Sequence, residues 1–171
     1  MESIRSYENF PIRLIVAAVL VNVSIYAIGA FILAGFGSIM MAIYILFCLG
    51  NEVHVMTTSC VYCYYYDKWC AFGKGKAAAL LFKRGDPERF LTKSISLKEL
   101  TSDMLVVLFP LMGGIALLIR DFSWQTVILI AFLLTFSLGG NYLIRSRVAC
   151  ACCKQRELGC PAEQFFSKKT A

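Results

Sequence analysis

Two stretches of the chain, 90 residues apart, repeat three cysteines at the same spacing. Residues 51–70 read NEVHVMTTSCVYCYYYDKWC and residues 141–160 read NYLIRSRVACACCKQRELGC, sharing the pattern N-x8-C-x2-C-x3-[DE]-x2-C. The matched cysteines are Cys60 with Cys150, Cys63 with Cys153, and Cys70 with Cys160. Two cysteines separated by two residues can turn both sulfurs toward one ion, and two such pairs complete the tetrahedral shell of a zinc site.

These six cysteines are therefore predicted to bind a metal ion, with zinc favoured. The two C-x2-C pairs supply the four thiolates that one zinc needs, and Cys70 and Cys160 remain as further ligands. Three cysteines in each half also suit an iron-sulfur cluster, whose last ligand comes from the other half or from an acidic residue. The alternative is that the cysteines serve only as small apolar residues. The matching offsets favour a coordinated role.

Four other residues near the motifs are predicted to surround the metal ligands or to substitute for one of them. They are Asp67, Glu157, His54 and Cys152. The two acidic residues align with each other, His54 is the only histidine, and Cys152 stands beside a predicted ligand but off the repeated pattern. Cys48 lies in an apolar run and is expected to be a core residue.

A second set of polar residues stands where apolar segments end. Asn51 and Asn141 align with each other and each follows a glycine. Small residues allow helices to approach closely, so we expect an interhelical amide hydrogen bond at this level. Glu52 is an ionisable residue just inside a predicted span, which makes it a functional candidate. An ion pair between Glu52 and Arg145 is the structural alternative.

The composition is that of a membrane protein, with 58% apolar and 16% charged residues. Residues 14–51 carry no charge, and each crossing of a bilayer needs ~20 apolar residues. This run therefore predicts two spans, approximately 14–34 and 39–58, with a turn at the sequence GFGS. Two later apolar runs predict spans at approximately 104–120 and 124–145. Four spans would form two helical hairpins.

The basic residues are distributed unevenly along the chain. Two precede the first predicted span, eight lie between Ser59 and Thr101, and six follow Ile144, so that 16 of the 17 fall on one side of the membrane. Lys and Arg concentrate on the cytoplasmic side. We therefore predict a multi-pass protein of the cell membrane with both termini and all the repeated cysteines in the cytoplasm. Thiols there stay reduced, which favours metal binding over disulfides.

The repeat also predicts the architecture. Each half, residues 1–85 and 91–171, consists of one hairpin followed by one cysteine motif. An even number of spans in each half brings both motifs out on the same face, as a parallel repeat. The predicted fold is an all-α integral membrane protein, with residues 1–171 as a single membrane domain. Its two tandem hairpins are related by a pseudo-two-fold axis and carry a cytoplasmic cysteine-rich cap.

The connection after the first motif predicts a short helix on the membrane surface. Its sequence GKGKAAALLFKRGDPERF places an Ala/Leu/Phe stretch between basic residues, which we expect to face anionic lipid headgroups. The preceding aromatic run YYYDKW is typical of a belt at the membrane interface. Topology and lipid account for the net charge of +6, and no nucleic-acid partner is predicted.

The predicted role of the metal site is to hold the two halves together at the membrane surface. Two other functions suit the same thiols. One is a redox accessory subunit of a larger membrane electron-transfer complex, and the other is a transporter or chaperone of a soft metal such as copper or zinc. No nucleotide motif or catalytic triad stands out, so no catalytic residue is predicted and a non-enzymatic role is favoured.

Overall fold

The computed structural model describes residues 6–91, 97–144, 149–158 and 160, and within them every regular element is helical. The α-helices are α1 Ile12–Ala34, α2 Ser38–Thr58, α3 Lys74–Leu81, α4 Glu88–Leu91, α5 Leu97–Arg120, α6 Trp124–Leu134, α7 Asn141–Leu143 and α8 Lys154–Glu157. A 3-10 turn, Cys60–Tyr62, follows α2, and a π-helix, Thr135–Gly140, joins α6 to α7. The prediction of an all-helical protein is confirmed for this part of the chain.

Three helical segments are long and apolar enough to cross a membrane. They are Ile12–Ala34, Ser38–Tyr62 and Thr101–Arg120, of 23, 25 and 20 residues. At 1.5 Å per residue, each reaches or exceeds the ~30 Å thickness of a bilayer core. A fourth apolar helical segment, Trp124–Gly140, is shorter. The first two of these helices are joined by a tight turn in which Gly37 has a φ of 115°, a conformation that glycine adopts without strain.

The chain divides into two compact units, which interleave along the sequence. The first comprises residues 1–19, 53–96 and 143–171, and we call it the cysteine unit. The second comprises residues 20–52 and 97–142, and we call it the helical unit. These two units do not follow the predicted division into repeat halves. The predicted single domain and its two halves remain predictions.

The helical unit has one apolar core, to which α1, α2, α5 and α6 all contribute. Its buried residues are Ile25, Ala30, Ile32, Leu33, Tyr44, Cys48, Val106 and Leu133. Many other large apolar side chains of this unit are exposed, among them Ile39 at 76% and Ile119 at 83%. A surface this apolar suits contact with lipid rather than with water.

One hydrogen bond in this core compensates for a proline. Pro110 lies inside α5 and has no backbone N–H, so it cannot donate to the carbonyl of Val106 four residues earlier. The hydroxyl of Tyr44, a side chain with no exposed surface, donates to that carbonyl at 2.8 Å. Gly29 makes room for the tyrosine, because a Cβ at that position would overlap the Tyr44 ring. The proline is thus tolerated at little cost in hydrogen bonding.

Candidate functional site

Both cysteine motifs belong to the cysteine unit, where they pack around one small apolar cluster. The cluster consists of Phe10, Ile15, Tyr65, Ala71 and Ala149. Cys63 and Cys70 from the first motif and Cys152 and Cys153 from the second pack against it while partly buried. Residues from the two halves of the sequence are therefore gathered at one place. None of the eight cysteines, all of which the structure describes, is in a disulfide.

Each C-x2-C sequence forms a tight turn of the same kind. The N–H of Cys63 donates to the carbonyl of Cys60 at 3.3 Å, and the N–H of Cys153 donates to the carbonyl of Cys150 at 3.4 Å. A second turn starts at the last cysteine of each pair, with N–H to carbonyl distances of 3.0 Å in the first motif and 3.1 Å in the second. The two turns are offset by the same 90 residues as the sequence pattern.

The two inner cysteines, Cys63 and Cys153, have closely similar surroundings. Burial is the main cause that raises the pKa of Cys63 to about 12 and that of Cys153 to about 11. Opposing this, the backbone N–H of Tyr65 lowers the pKa of Cys63, and the backbone N–H groups of Gln155 and Arg156 lower that of Cys153. N–H groups in successive turns favour an anion, so each sulfur is provided with a donor for its thiolate form. Cys153 also raises the pKa of Cys63, as neighbouring thiols do.

Two reciprocal hydrogen bonds join the motifs. The N–H of Tyr64 donates to Oε1 of Gln155 at 2.7 Å, and the N–H of Lys154 donates to the hydroxyl of Tyr65 at 3.0 Å. Residues 64 and 154 are equivalent in the sequence alignment, and so are residues 65 and 155. Each motif therefore offers a backbone N–H to the side chain that the other motif carries one position later. Tyr65 and Gln155 are both buried, at 2% and 5% exposure.

The N-terminal segment binds to both motifs. The N–H of Tyr7 donates to the carbonyl of Cys152 at 3.0 Å, and the Tyr65 hydroxyl donates to the carbonyl of Tyr7 at 2.5 Å. Further along, the N–H of Phe10 donates to the carbonyl of Trp69 at 2.8 Å. Residues 7–10 thus form part of the wall around the cysteines and tie the first motif to the second.

The third cysteine of the first motif, Cys70, lies in the loop just before α3. The sulfur of Cys70 accepts a hydrogen bond from the N–H of Gly75 at 3.3 Å, and its carbonyl accepts one from Gly73 at 2.9 Å. Gly75 is required for this arrangement, because a Cβ there would overlap the carbonyl oxygens of Tyr65 and Lys68. The first turn of α3 is therefore fixed against the loop that carries the cysteines.

The four residues predicted to surround the metal ligands differ in how close they lie to the central cluster. Cys152 packs on the central cluster. The carboxylate of Asp67 is 69% exposed and lies 3.3 Å from Nζ of Lys76, and Asp67 has a φ of 60°. Glu157 lies exposed in α8, and His54 lies exposed on α2. Cys160 is close enough to Cys153 to raise its pKa, so the third cysteine of the second motif lies in the same neighbourhood.

Three of the polar residues predicted at the ends of the spans, Asn51, Glu52 and Asn141, belong to the helical unit. Nδ2 of Asn51, on α2, donates to Oδ1 of Asp103, on α5, at 3.2 Å. Oε1 of Glu52 accepts a hydrogen bond from the Tyr26 hydroxyl at 2.6 Å. Asn141 is half-buried at the start of α7. Arg145, the predicted ion-pair partner of Glu52, lies outside the described residues.

The cysteines of the two motifs lie near one cluster, but they do not form a coordination shell. Within the described ranges, no three His, Cys, Asp or Glu side chains are arranged so as to hold a metal ion. The thiol of Cys63 is instead 3.8 Å from Oε1 of Gln155, as a weak hydrogen-bond donor. No known protein family matches the chain, and no curated protein or solved structure is significantly similar to it.

Sequence reasoning missed three contributors to this site. Tyr65 and Gln155 align with each other, but an aromatic and an amide side chain share no obvious chemistry, so the alignment did not single them out. The N-terminal segment was also missed, because residues 7–10 are remote in sequence from both motifs. Their position in the sequence could have identified them, since Tyr65 and Gln155 each lie two residues after the second cysteine of a C-x2-C pair.

Proposed function

We propose that this is a small multi-pass membrane protein whose cysteine unit binds a metal ion, with zinc favoured. The observation that carries the proposal is the pair of reciprocal hydrogen bonds between the motifs, from Tyr64 to Gln155 and from Lys154 to Tyr65. A shift of 90 residues exchanges the two bonds, since residue 64 is equivalent to 154 and residue 65 to 155, as a local two-fold relation between the two turns requires. Two C-x2-C turns related in this way can each contribute two thiolates to one tetrahedral zinc.

The proposed ligands are the four cysteines of the two turns, with Cys70 and Cys160 as further or alternative ligands. The metal-free unit keeps Cys63 and Cys153 protonated, because burial raises the pKa of each thiol well above neutrality. Zinc binding releases these protons, and the resulting charge is shared with the metal. The N–H groups of Tyr65 and Gln155 then hydrogen-bond the zinc-bound thiolates, as outer partners commonly do at metal sites. Closure of the shell requires the thiols to move together.

Two features support a role in holding the two halves of the chain together. Each proposed ligand pair comes from a different half, so one bound ion cross-links segments that are otherwise 90 residues apart. The surrounding apolar cluster is small, with five buried residues. Small apolar clusters stabilise weakly, and structural zinc supplies folding free energy in such units.

We further propose that Trp124–Gly140 provides a fourth crossing and that both termini face the cytoplasm. The segment, which includes the π-helix, is shorter than the other three, but α7 continues it to Leu143. This topology leaves 16 of the 17 basic residues on one side. It also keeps the cysteines in a reducing compartment, where a thiolate metal site persists.

One observation favours an iron-sulfur cluster as the second candidate. The sulfur of Cys70 accepts a hydrogen bond from the N–H of Gly75 at 3.3 Å. Hydrogen bonds to cysteine sulfur are a common feature of iron-sulfur sites, where they tune the reduction potential. A cluster would use this third cysteine, which a single zinc does not need.

Metal analysis of the protein purified without oxygen tests both candidates. The zinc proposal expects colourless protein with about one zinc ion per chain, whereas a cluster gives brown protein with iron and acid-labile sulfide. Cys63→Ser and Cys153→Ser should each remove most of the metal, and the double variant should add little because both act on one shell. Cys152→Ser and Cys48→Ser are the matched controls and should retain it.

The proposal is overturned if the wild-type protein, with all thiols reduced, binds neither zinc nor iron at micromolar concentrations. It is also overturned if Cys152→Ser loses as much metal as Cys153→Ser. In that case the alignment of the two motifs has identified the wrong sulfur.

A further inference from the structure

Helix α3 of the cysteine unit ends in an exposed apolar surface. Leu80 is 86% exposed and Leu81 is 62% exposed, and Trp69, on the preceding loop, is 43% exposed. On the opposite side of the same helix, Gly75 and Ala78 are buried, so α3 is held firmly by one side only. We call the surface formed by Trp69, Leu80 and Leu81 the α3 face. Contiguous exposed apolar side chains of this kind mark a binding or membrane-contact surface.

The attachments of α3 place it beside the end of a candidate membrane span. The second span ends at Tyr62, and the N–H of Gly85 donates to the carbonyl of Val61 at 3.0 Å. A Cβ on Gly85 would overlap the ring of Tyr62, so the chain passes directly against the end of the span. Between these points, the Tyr66 hydroxyl donates to the carbonyl of Phe82 at 2.9 Å. The helix is therefore tied to a segment that we place at the level of the lipid headgroups.

The charges around the α3 face are mainly basic. Lys76, Lys83 and Arg84 are all exposed. Lys76 has one acidic neighbour, Asp67, at 3.3 Å, and both side chains of this pair reach solvent. The guanidinium of Arg84, which follows the C-terminus of α3, lies 5.9 Å from the centre of the Tyr66 ring. Anionic lipid headgroups provide the complementary charge.

An open cavity adjoins part of the α3 face. Its volume is about 680 Å³, and its lining includes Trp69 and Leu80 together with the ion pair of Lys76 and Asp67. An aromatic ring and an exposed leucine thus stand beside polar groups that reach solvent. Amphipathic surroundings of this kind are typical of the membrane interface.

We infer that the α3 face docks onto anionic phospholipid of the membrane that the protein spans. Leu80 and Leu81 insert among the acyl chains, and Trp69 lies at the glycerol level, where aromatic side chains concentrate. Lys76, Lys83 and Arg84 contact the lipid phosphates. A free inorganic phosphate would satisfy the charges but would leave the two leucines in water, so the surface fits a lipid. The inference does not depend on metal binding.

The test uses the two tryptophans of the chain, Trp69 and Trp124. The full-length Trp124→Phe protein, in which Trp69 is the only tryptophan, is reconstituted into phosphatidylcholine vesicles containing phosphatidylglycerol. Acyl chains of either lipid carry bromine, which quenches nearby tryptophan. Docking predicts strong quenching by brominated lipid, a blue-shifted emission and protection from iodide in the buffer. At equal mole fraction, brominated phosphatidylglycerol should quench at least about twofold more than brominated phosphatidylcholine, since each basic residue near an anionic surface favours binding several-fold.

Two variants separate the apolar contribution from the ionic one. Leu80→Glu/Leu81→Glu should reduce quenching by both brominated lipids and shift the emission to the red. Lys83→Gln/Arg84→Gln should abolish only the preference for phosphatidylglycerol. Arg120→Gln, which removes a basic residue of the helical unit, is the matched control and should change neither.

The inference is wrong if Trp69 in the Trp124→Phe protein is quenched by iodide and not by brominated lipid, a result that needs no further variant. Protection from both quenchers also overturns it, because it shows that a second protein copy or another segment covers the α3 face. Equal quenching by the two brominated lipids in every variant rejects the anionic specificity.

Discussion

Removal of one hydroxyl group should loosen the connection between the two cysteine motifs. In Tyr65→Phe, the N–H of Lys154 loses its acceptor and the carbonyl of Tyr7 loses its donor. Tyr65 is only 2% exposed and both bonds are partly buried, so the phenylalanine ring limits the access of water to the two partners. An unsatisfied buried N–H costs ~1–3 kcal/mol, with a partly buried one toward the lower end, and the second lost bond adds ~0.5–1.5 kcal/mol. We therefore expect the metal-free cysteine unit to be destabilised by about 2–3 kcal/mol.

The rate at which the thiol of Cys63 is labelled measures this loss directly. The thiol is partly buried among the residues that the hydroxyl of Tyr65 holds together, so opening of the unit speeds its reaction with a reagent. A destabilisation of about 2–3 kcal/mol raises the labelling rate roughly 30- to 150-fold, because 1.4 kcal/mol is a factor of ten. The measurement is made on metal-free protein in detergent, with mass spectrometry to assign the labelled cysteine.

Tyr66→Phe is the matched control, since it removes the neighbouring hydroxyl. That group donates to the carbonyl of Phe82 at 2.9 Å, within the first half of the chain, and does not connect the motifs. One lost bond of ~0.5–1.5 kcal/mol predicts an increase of roughly two- to tenfold. If Tyr65→Phe labels no faster than Tyr66→Phe while both retain their helical content, the hydroxyl of Tyr65 does not join the motifs and the reasoning fails.

Three further predictions concern the core, pH dependence and topology. Tyr44→Phe should destabilise the helical unit by about 1 kcal/mol, because the carbonyl of Val106 is left without a donor. Pro110→Ala restores the N–H that the proline removed, so in that background Tyr44→Phe should cost less, and equal costs in a double-mutant cycle would contradict the compensation. The pKa values of Cys63 and Cys153 are raised from 9.0 to about 12 and about 11, chiefly by burial. The stability of metal-free protein should therefore be unaffected by these thiols below pH 9.0 and fall above it, by up to ~1.4 kcal/mol per pH unit for each group, as measured by denaturant unfolding. A membrane-impermeant thiol reagent should label the motif cysteines only after cells are opened and metal is removed, and labelling of intact cells would contradict the cytoplasmic topology.

The sequence alone is enough to identify the three long apolar helices and the two C-x2-C turns, because both depend on local patterns. A run of ~20 apolar residues favours a helix of membrane-spanning length, because the hydrophobic effect and internal hydrogen bonding act within the segment itself. The turn between α1 and α2 lies at the GFGS sequence, as predicted, since few residues other than glycine accept the φ of 115° at Gly37. The C-x2-C turns are equally local, with one backbone hydrogen bond across each pair.

Only the tertiary structure decides which of these local elements meet. The Tyr65 hydroxyl and the N–H of Lys154 are 89 residues apart in sequence, and nothing in either segment specifies the other. The same holds for Tyr44, whose partner carbonyl is 62 residues away and is available only because of Pro110. Burial in a shared core selects such pairs, since a polar group removed from water must find a partner among the groups that packing brings to it.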